Sequence, residues 1–113
     1  MRKAIPSALA IALVAAAAAG CVTQEDRPVT TAQQARGASD DRAVQINGTI
    51  VRQRSGDHYI VNDGTSDILV EIKDHVRRGK RLDPGMKVQI NGEIEGRTLR
   101  DSKVEARSVT VVP

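Results

Sequence analysis

The heptapeptide VQINGTI, Val44 to Ile50, returns with one change as VQINGEI, Val88 to Ile94. Val44, Ile46, Gly48 and Ile50 share one phase, as do Val88, Ile90, Gly92 and Ile94, while polar side chains fill the other. Apolar residues at every second position describe a half-buried strand. An Asn-Gly pair is also the signal of a two-residue hairpin turn, but a turn here leaves arms of three residues, and the alternation runs through it unbroken. Glycine on the inward phase of a continuous strand marks a bulge or sharp bend. A small closed barrel demands such bends of its long strands. The two copies are therefore expected as neighbouring strands that close a barrel, each bent at its glycine. Internal duplication is the weaker explanation, because the residues flanking the two copies do not match.

The rest of the C-terminal region also reads as strands. His58 to Asn62 and Asp67 to Ile72 alternate, and Asp63-Gly64-Thr65-Ser66 between them is a hairpin signal. Ser55-Gly56 reads as a two-residue turn after the first strand. Lys103 to Val112 supplies a fifth strand, whose phase shifts between Ala106 and Val109 as at a bulge. The long break Arg77 to Gly85 follows one helical turn at Asp74 to Arg78. Five strands with the break after the third is the order of an OB-fold barrel, so the expected class is all-β, a small five-stranded barrel over residues 42–113. In that topology the first and fourth strands lie side by side. The turns set a register in which Ile50 faces Val61, Val51 faces Ile60, Gln53 faces His58 and Arg54 faces Asp57. Across the next hairpin, Val61 faces Ile68, Ile60 faces Leu69, Tyr59 faces Val70 and His58 faces Glu71.

The N-terminus reads differently. Arg2 and Lys3 precede an apolar stretch from Ala4 to Ala19, about 16 residues, which is short for a bilayer span and suits a signal-peptide core. It ends Ala18-Ala19-Gly20-Cys21, and Cys21 is the single cysteine of the chain. This resembles a bacterial lipoprotein signal over residues 1–20, in which Cys21 is acylated and becomes the new N-terminus. An ordinary A-x-A cleavage site beside an incidental cysteine is the alternative. The lipoprotein reading implies a periplasmic protein held to a membrane by its lipid, and Val22 after the cysteine favours the outer membrane. Losing Arg2 and Lys3 leaves 15 basic against 14 acidic side chains, so charge gives no case for a polyanionic partner. Residues 21–41, rich in Gln, Thr, Asp, Arg and Gly without apolar periodicity, read as a disordered tether spanning roughly 25 Å.

Tyr-x-Val-x-Asp at Tyr59 to Asp63, Ile-x-Val-x-Ile at Ile68 to Ile72, and Pro84 ahead of Val-x-Ile-x-Gly-x-Ile resemble the bacterial OB-fold family of small periplasmic proteins, the YgiW/YdeI stress-tolerance group. The resemblance covers nearly all of 44–112. It implies an OB barrel and a role in tolerance of envelope stress. Phenylalanine is commoner than Val61 in that family, a Trp expected near His75 is absent, and a lipid anchor is not the group's usual export route.

OB barrels commonly bind ligands across strands two and three and on adjoining loops. The register puts Val51, Ile60 and Leu69 in an outward apolar row across three strands, flanked by Gln53, His58 and Glu71. These six residues are the expected site, for a small ligand, a peptide or an envelope protein; cross-strand packing that stiffens the sheet is the plainer alternative. Binding of single-stranded nucleic acid is disfavoured, because stacking needs aromatic platforms. The chain has no Phe or Trp and a single tyrosine, Tyr59, on the inward phase. Arg77, Arg78, Lys80 and Arg81 form a basic cluster suited to a solvated loop or an anionic surface. His58 and His75 lack metal-ligand spacing, so neither a metal nor a cofactor is expected. There is no Gly-x-Ser-x-Gly motif, phosphate-cradling loop or tuned carboxylate pair, and the chain reads as a non-enzyme. Its expected role is that of a binding module, with an accessory subunit of an envelope complex as the alternative.

Overall fold

The computed structural model describes residues 27–96 and 102–113. The expected signal peptide and Cys21 lie outside the described residues. Five strands, β1 (Ala43–Ser55), β2 (His58–Asn62), β3 (Asp67–Glu71), β4 (Lys87–Glu95) and β5 (Lys103–Val112), close into a barrel in the order β1-β2-β3-β5-β4. The ladders are antiparallel except for the short β3–β5 junction at Val70↔Val104 and Glu71↔Glu105. The expected OB topology is the observed one.

The repeated heptapeptides lie against each other, with Val44↔Gly92, Ile46↔Ile90 and Gly48↔Val88. Because the pairing is antiparallel, each copy sets its glycine opposite the other's valine. The repetition thus reflects one geometric need met twice. β1 pairs with β4 over Ala43–Thr49 and with β2 from Thr49 onward, so it changes partner beside Gly48. A Cβ there would meet Val61 Cγ1 at 2.7 Å and the Asn62 carbonyl oxygen at 2.9 Å. Gly92 stands at the β4–β5 bulge, where Arg107 is the extra residue of β5. Val44, Ile46, Ile50, Tyr59, Val61, Ile68, Val70, Ile72, Val88, Ile90, Ile94 and Val104 fill the interior.

Residues 27–41 differ from the expected tether. Val29 is 2 % exposed and bridges Val44 in parallel, its N–H donating to the Ala43 carbonyl at 2.7 Å and its carbonyl accepting from Gln45 at 2.8 Å. Helix α1 (Ala32–Arg36) follows, and Ala32, Ala35 and Ala38 are buried in the same core as the strands. The domain therefore begins no later than Val29 instead of at residue 42. Small alanines pack close to the barrel without the large apolar side chains that a periodicity search detects.

The β2–β3 loop holds this strap. Asp63 Oδ2 accepts from the Ala32 N–H at 2.8 Å and Thr65 Oγ1 accepts from Gln33 at 3.1 Å, while Thr31 caps its own helix through Gln34 at 3.1 Å. The first turn of α1 thus has its free N–H groups satisfied, two of them by a distant loop. Burial opposes ionisation of Asp63. Hydrogen bonds from the Thr65 hydroxyl and from the backbone of Ala32, Thr65 and Ser66 outweigh it and hold the carboxyl below its usual value. Asp63→Ala is expected to lower stability by about 1–3 kcal/mol at neutral pH. Amide hydrogen exchange should show the opening at Ala32 to Ala35. A depressed carboxylate contributes fully above its unfolded value, near 3.9, and the contribution fades as pH falls through the folded value. The gap between wild type and D63A should therefore close in acid. A gap independent of pH would show that the ionised form is not what holds the strap.

Candidate binding face on the second and third strands

The β2–β3 hairpin has the expected register throughout, Asn62↔Asp67 to His58↔Glu71. Tyr59, Val61, Ile68 and Val70 point inward and are buried, which leaves Ile60 and Leu69 paired on the outward phase and half-buried. Tyr59 is 3 % exposed, and the Arg77 guanidinium lies 5.8 Å from its ring centroid, so the chain's single aromatic offers no outward stacking platform.

The β1–β2 register holds at Ile50↔Val61 and then departs from expectation. Bulges near Val51 and Arg54 set Arg52 opposite Ile60, Gln53 opposite Tyr59 and Ser55 opposite His58. The turn is consequently Gly56-Asp57, not Ser55-Gly56, with Gly56 at φ +48°, a conformation that glycine adopts without strain. A 13-residue strand that passes from β4 to β2 must coil, and bulges supply the extra twist. Val51, 41 % exposed, loses its place opposite Ile60, and Gln53 donates to the Gly56 carbonyl at 2.6 Å, closing the turn.

Ile60 and Leu69 instead form the floor of a groove of about 320 Å³, bordered by Arg36, Arg54, Asp67 and Ser102. Arg36 arrives on α1 and bonds the Ser66 hydroxyl at 3.1 Å, while Asp67 accepts from Asn62 at 2.8 Å. Arg36 and Arg54 were absent from the expected site. Thr31 before the evenly spaced Ala32, Ala35 and Ala38 was the available signal for α1, and nothing in the chain signals the bulges that bring in Arg54.

His58 and Glu71 are neighbours as expected but serve another cluster. Lys103 Nζ lies 3.2 Å from Glu71 Oε1, 3.2 Å from Glu95 Oε1 and 3.5 Å from His58 Nε2. Burial disfavours the Lys103 ammonium, yet hydrogen bonds to Glu95 and Glu71 outweigh it and raise its pKa. Glu71, Glu95 and Glu105 bring carboxylate oxygens within 4.8 Å of one another, and Lys103 and Lys73 balance them, the latter 3.4 Å from Glu105. This network ties β3, β4 and β5 together beside the short parallel junction. In the basic cluster, Arg77 is committed to Asp57 at 3.0 Å and Asp74 at 3.1 Å, and Arg81 to Asp83 at 2.9 Å.

A model of the family described as bacterial OB fold (BOF) protein matches residues 12–111. The chain belongs to the bacterial OB fold family. It is 32 % identical over 83 residues to the calcium-regulated OB-fold protein CarO of Pseudomonas aeruginosa, an alignment covering 74 % of this chain and 71 % of that one. It is 38 % identical over 68 residues to the protein YgiW of Escherichia coli, covering 59 % of this chain and 52 % of YgiW. The solved structure of the hypothetical protein ygiW from E. coli superposes with a TM-score of 0.67 at 26 % identity, over 76 % of this chain and 90 % of that one. The telomere capping protein Ten1 from Saccharomyces pombe superposes with a TM-score of 0.55 at 16 % identity, over 74 % and 77 % of the two chains, a likeness of fold alone.

Proposed function

We propose that this BOF chain is a non-enzymatic binding module of the bacterial envelope, held to a membrane through an acylated Cys21 and acting in stress tolerance. Its ligand lies in the groove over Ile60 and Leu69. The observation that carries the reading is this outward, half-buried apolar pair lying between Arg36 and Arg54. The floor removes apolar surface from water, and guanidinium groups make strong charge-assisted bonds to carboxylate or phosphate. The groove suits a small ligand or short peptide that presents an apolar group beside an anionic one. Kinship with YgiW-like proteins supports the stress role, and the resemblance of residues 1–21 to a lipoprotein signal supports the anchor. With Val29 built into the domain, an acylated Cys21 would be separated from the packed structure by at most about 28 Å of extended chain. The barrel would then work close to the membrane surface.

Ile60→Thr with Leu69→Thr should leave the barrel folded, since both side chains face outward and threonine suits a strand. Binding should weaken about tenfold or more through lost apolar burial. The experiment is an amide NMR titration of the full chain with divalent metals, polyamines, peptidoglycan fragments and short anionic peptides. Shifts at Arg54, Ile60 and Leu69 with one ligand class, lost in the double variant, support the reading. A dispersed spectrum that ignores the whole panel removes the groove as a small-ligand site and favours an accessory subunit, to be sought as a protein that co-purifies in fixed ratio.

A further inference from the structure

A second surface lies away from that groove. β5 pairs with β4 along its whole length, from Lys103↔Glu95 to Val112↔Lys87, but with β3 only at Val104 and Glu105. β3 ends at Glu71 and the chain continues into helix α2 (Asp74–Arg77), which packs against β5 without pairing to it. Among the described residues no strand pairs with the other edge of β5 from Ala106 onward. That edge forms one wall of a groove of about 640 Å³ running along Glu105 to Val111. The facing wall carries Lys73, His75, Arg77, Arg78 and Lys80.

We infer that the free edge of β5 accepts an acidic peptide in extended conformation as an added strand, with Arg78 and Lys80 reading its charge. An edge strand directs alternate N–H and C=O groups outward, a template that an extended chain satisfies and a lipid headgroup does not. Val109 and Val111, half-buried beside the core, give the incoming strand apolar contact. The charge is unequally committed. Lys73 is paired with Glu105, Arg77 with Asp57 and Asp74, and Arg107 with Glu93. Arg78 and Lys80 have no carboxylate within 4.0 Å among the described residues. Arg78 moreover holds the left-handed conformation, φ +56° and ψ +41°, immediately before Gly79. A glycine at 78 would relieve that strain, whereas the arginine keeps its charge beside the open edge.

The test is an amide NMR titration of the full chain with a synthetic peptide of alternating Glu and Val, with the same peptide N-methylated at alternate residues, and with phosphatidylglycerol vesicles. The unmodified peptide is expected to shift and protect amides between Ala106 and Val111 while leaving Ile60 and Leu69 unchanged. Arg78→Gly combined with Lys80→Gln should weaken it about tenfold without lowering the melting temperature, because the first change removes backbone strain. Failure at the Ile60 groove leaves this result untouched, and the converse also holds. Three outcomes overturn the proposal: no response to the peptide, equal binding of the N-methylated form, or vesicle capture through Arg78 and Lys80 with β5 amides unmoved.

Discussion

Gly92→Ala is expected to destabilise the native barrel severely. A single Cβ at this position would run into the Glu105 carbonyl oxygen and stand 2.9 Å from both the Glu105 carbonyl carbon and Ala106 Cα. Those atoms are backbone, held by the Gly92↔Ala106 and Glu93↔Glu105 pairs on one side and by the Glu71↔Glu105 pair on the other. They cannot swing aside as a side chain would, and separating the strands breaks the bulge that lets β4 and β5 curl. A loss above about 3 kcal/mol is expected, a large share of the roughly 5–10 kcal/mol available to so small a domain. Gly48→Ala should be milder, because its shortest approach is to a side-chain atom, Val61 Cγ1 at 2.7 Å, and its nearest backbone atom stands at 2.9 Å. Gly37→Ala serves as the control, with nothing within 4 Å of its added Cβ and φ at −107°. Thermal melts followed by circular dichroism should rank the variants Gly37 above Gly48 above Gly92, with the last lacking a cooperative transition or melting some 12 °C or more below wild type. A G92A protein that melts with the wild type would mean that β4 and β5 do not approach this closely.

The barrel is legible in the chain because its signals are redundant. Each heptapeptide carries alternation and an inward glycine, and the Asp63-to-Ser66 turn fixes the β2–β3 register from both ends. The phase change after Ala106 marks the bulge at Arg107. What is not legible depends on small or unpaired residues. The bulges near Val51 and Arg54 leave no mark, since exposed Val51, Arg52, Gln53 and Arg54 fit either register equally well. Of the six residues expected in one row, Ile60 and Leu69 are brought together, Val51 and Gln53 are displaced, and His58 and Glu71 lie in the Lys103 network. Arg36 and Arg54 enter from the strap and from the bulged strand, the two features that alternation does not report.

The strap carries the second large prediction. A chain started at residue 42, where alternation alone sets the domain boundary, should be less stable than the full chain by about 3–5 kcal/mol. It loses the burial of Val29, Ala32, Ala35 and Ala38 and uncovers the core they touch. It also loses the pair of backbone bonds between Val29 and β1, and the Asp41 N–H bond to Ile94 at 2.9 Å. Part of this is offset by the entropy of about a dozen residues no longer ordered, which keeps the figure below the sum of the contacts. Urea unfolding of the two chains measures the difference. Adding a peptide of residues 27–41 to the shortened chain should raise its midpoint with peptide concentration, as any ligand of the folded state does. Asp63→Ala should abolish most of that rescue, because the peptide's helix would lose the carboxylate that receives its first N–H. Equal stability of the two chains would instead return residues 27–41 to the role of tether and detach Arg36 from the candidate face over Ile60 and Leu69. The contact between Asp63 and α1 thus bears both on how firmly the N-terminal segment packs and on where Arg36 stands beside Ile60 and Leu69.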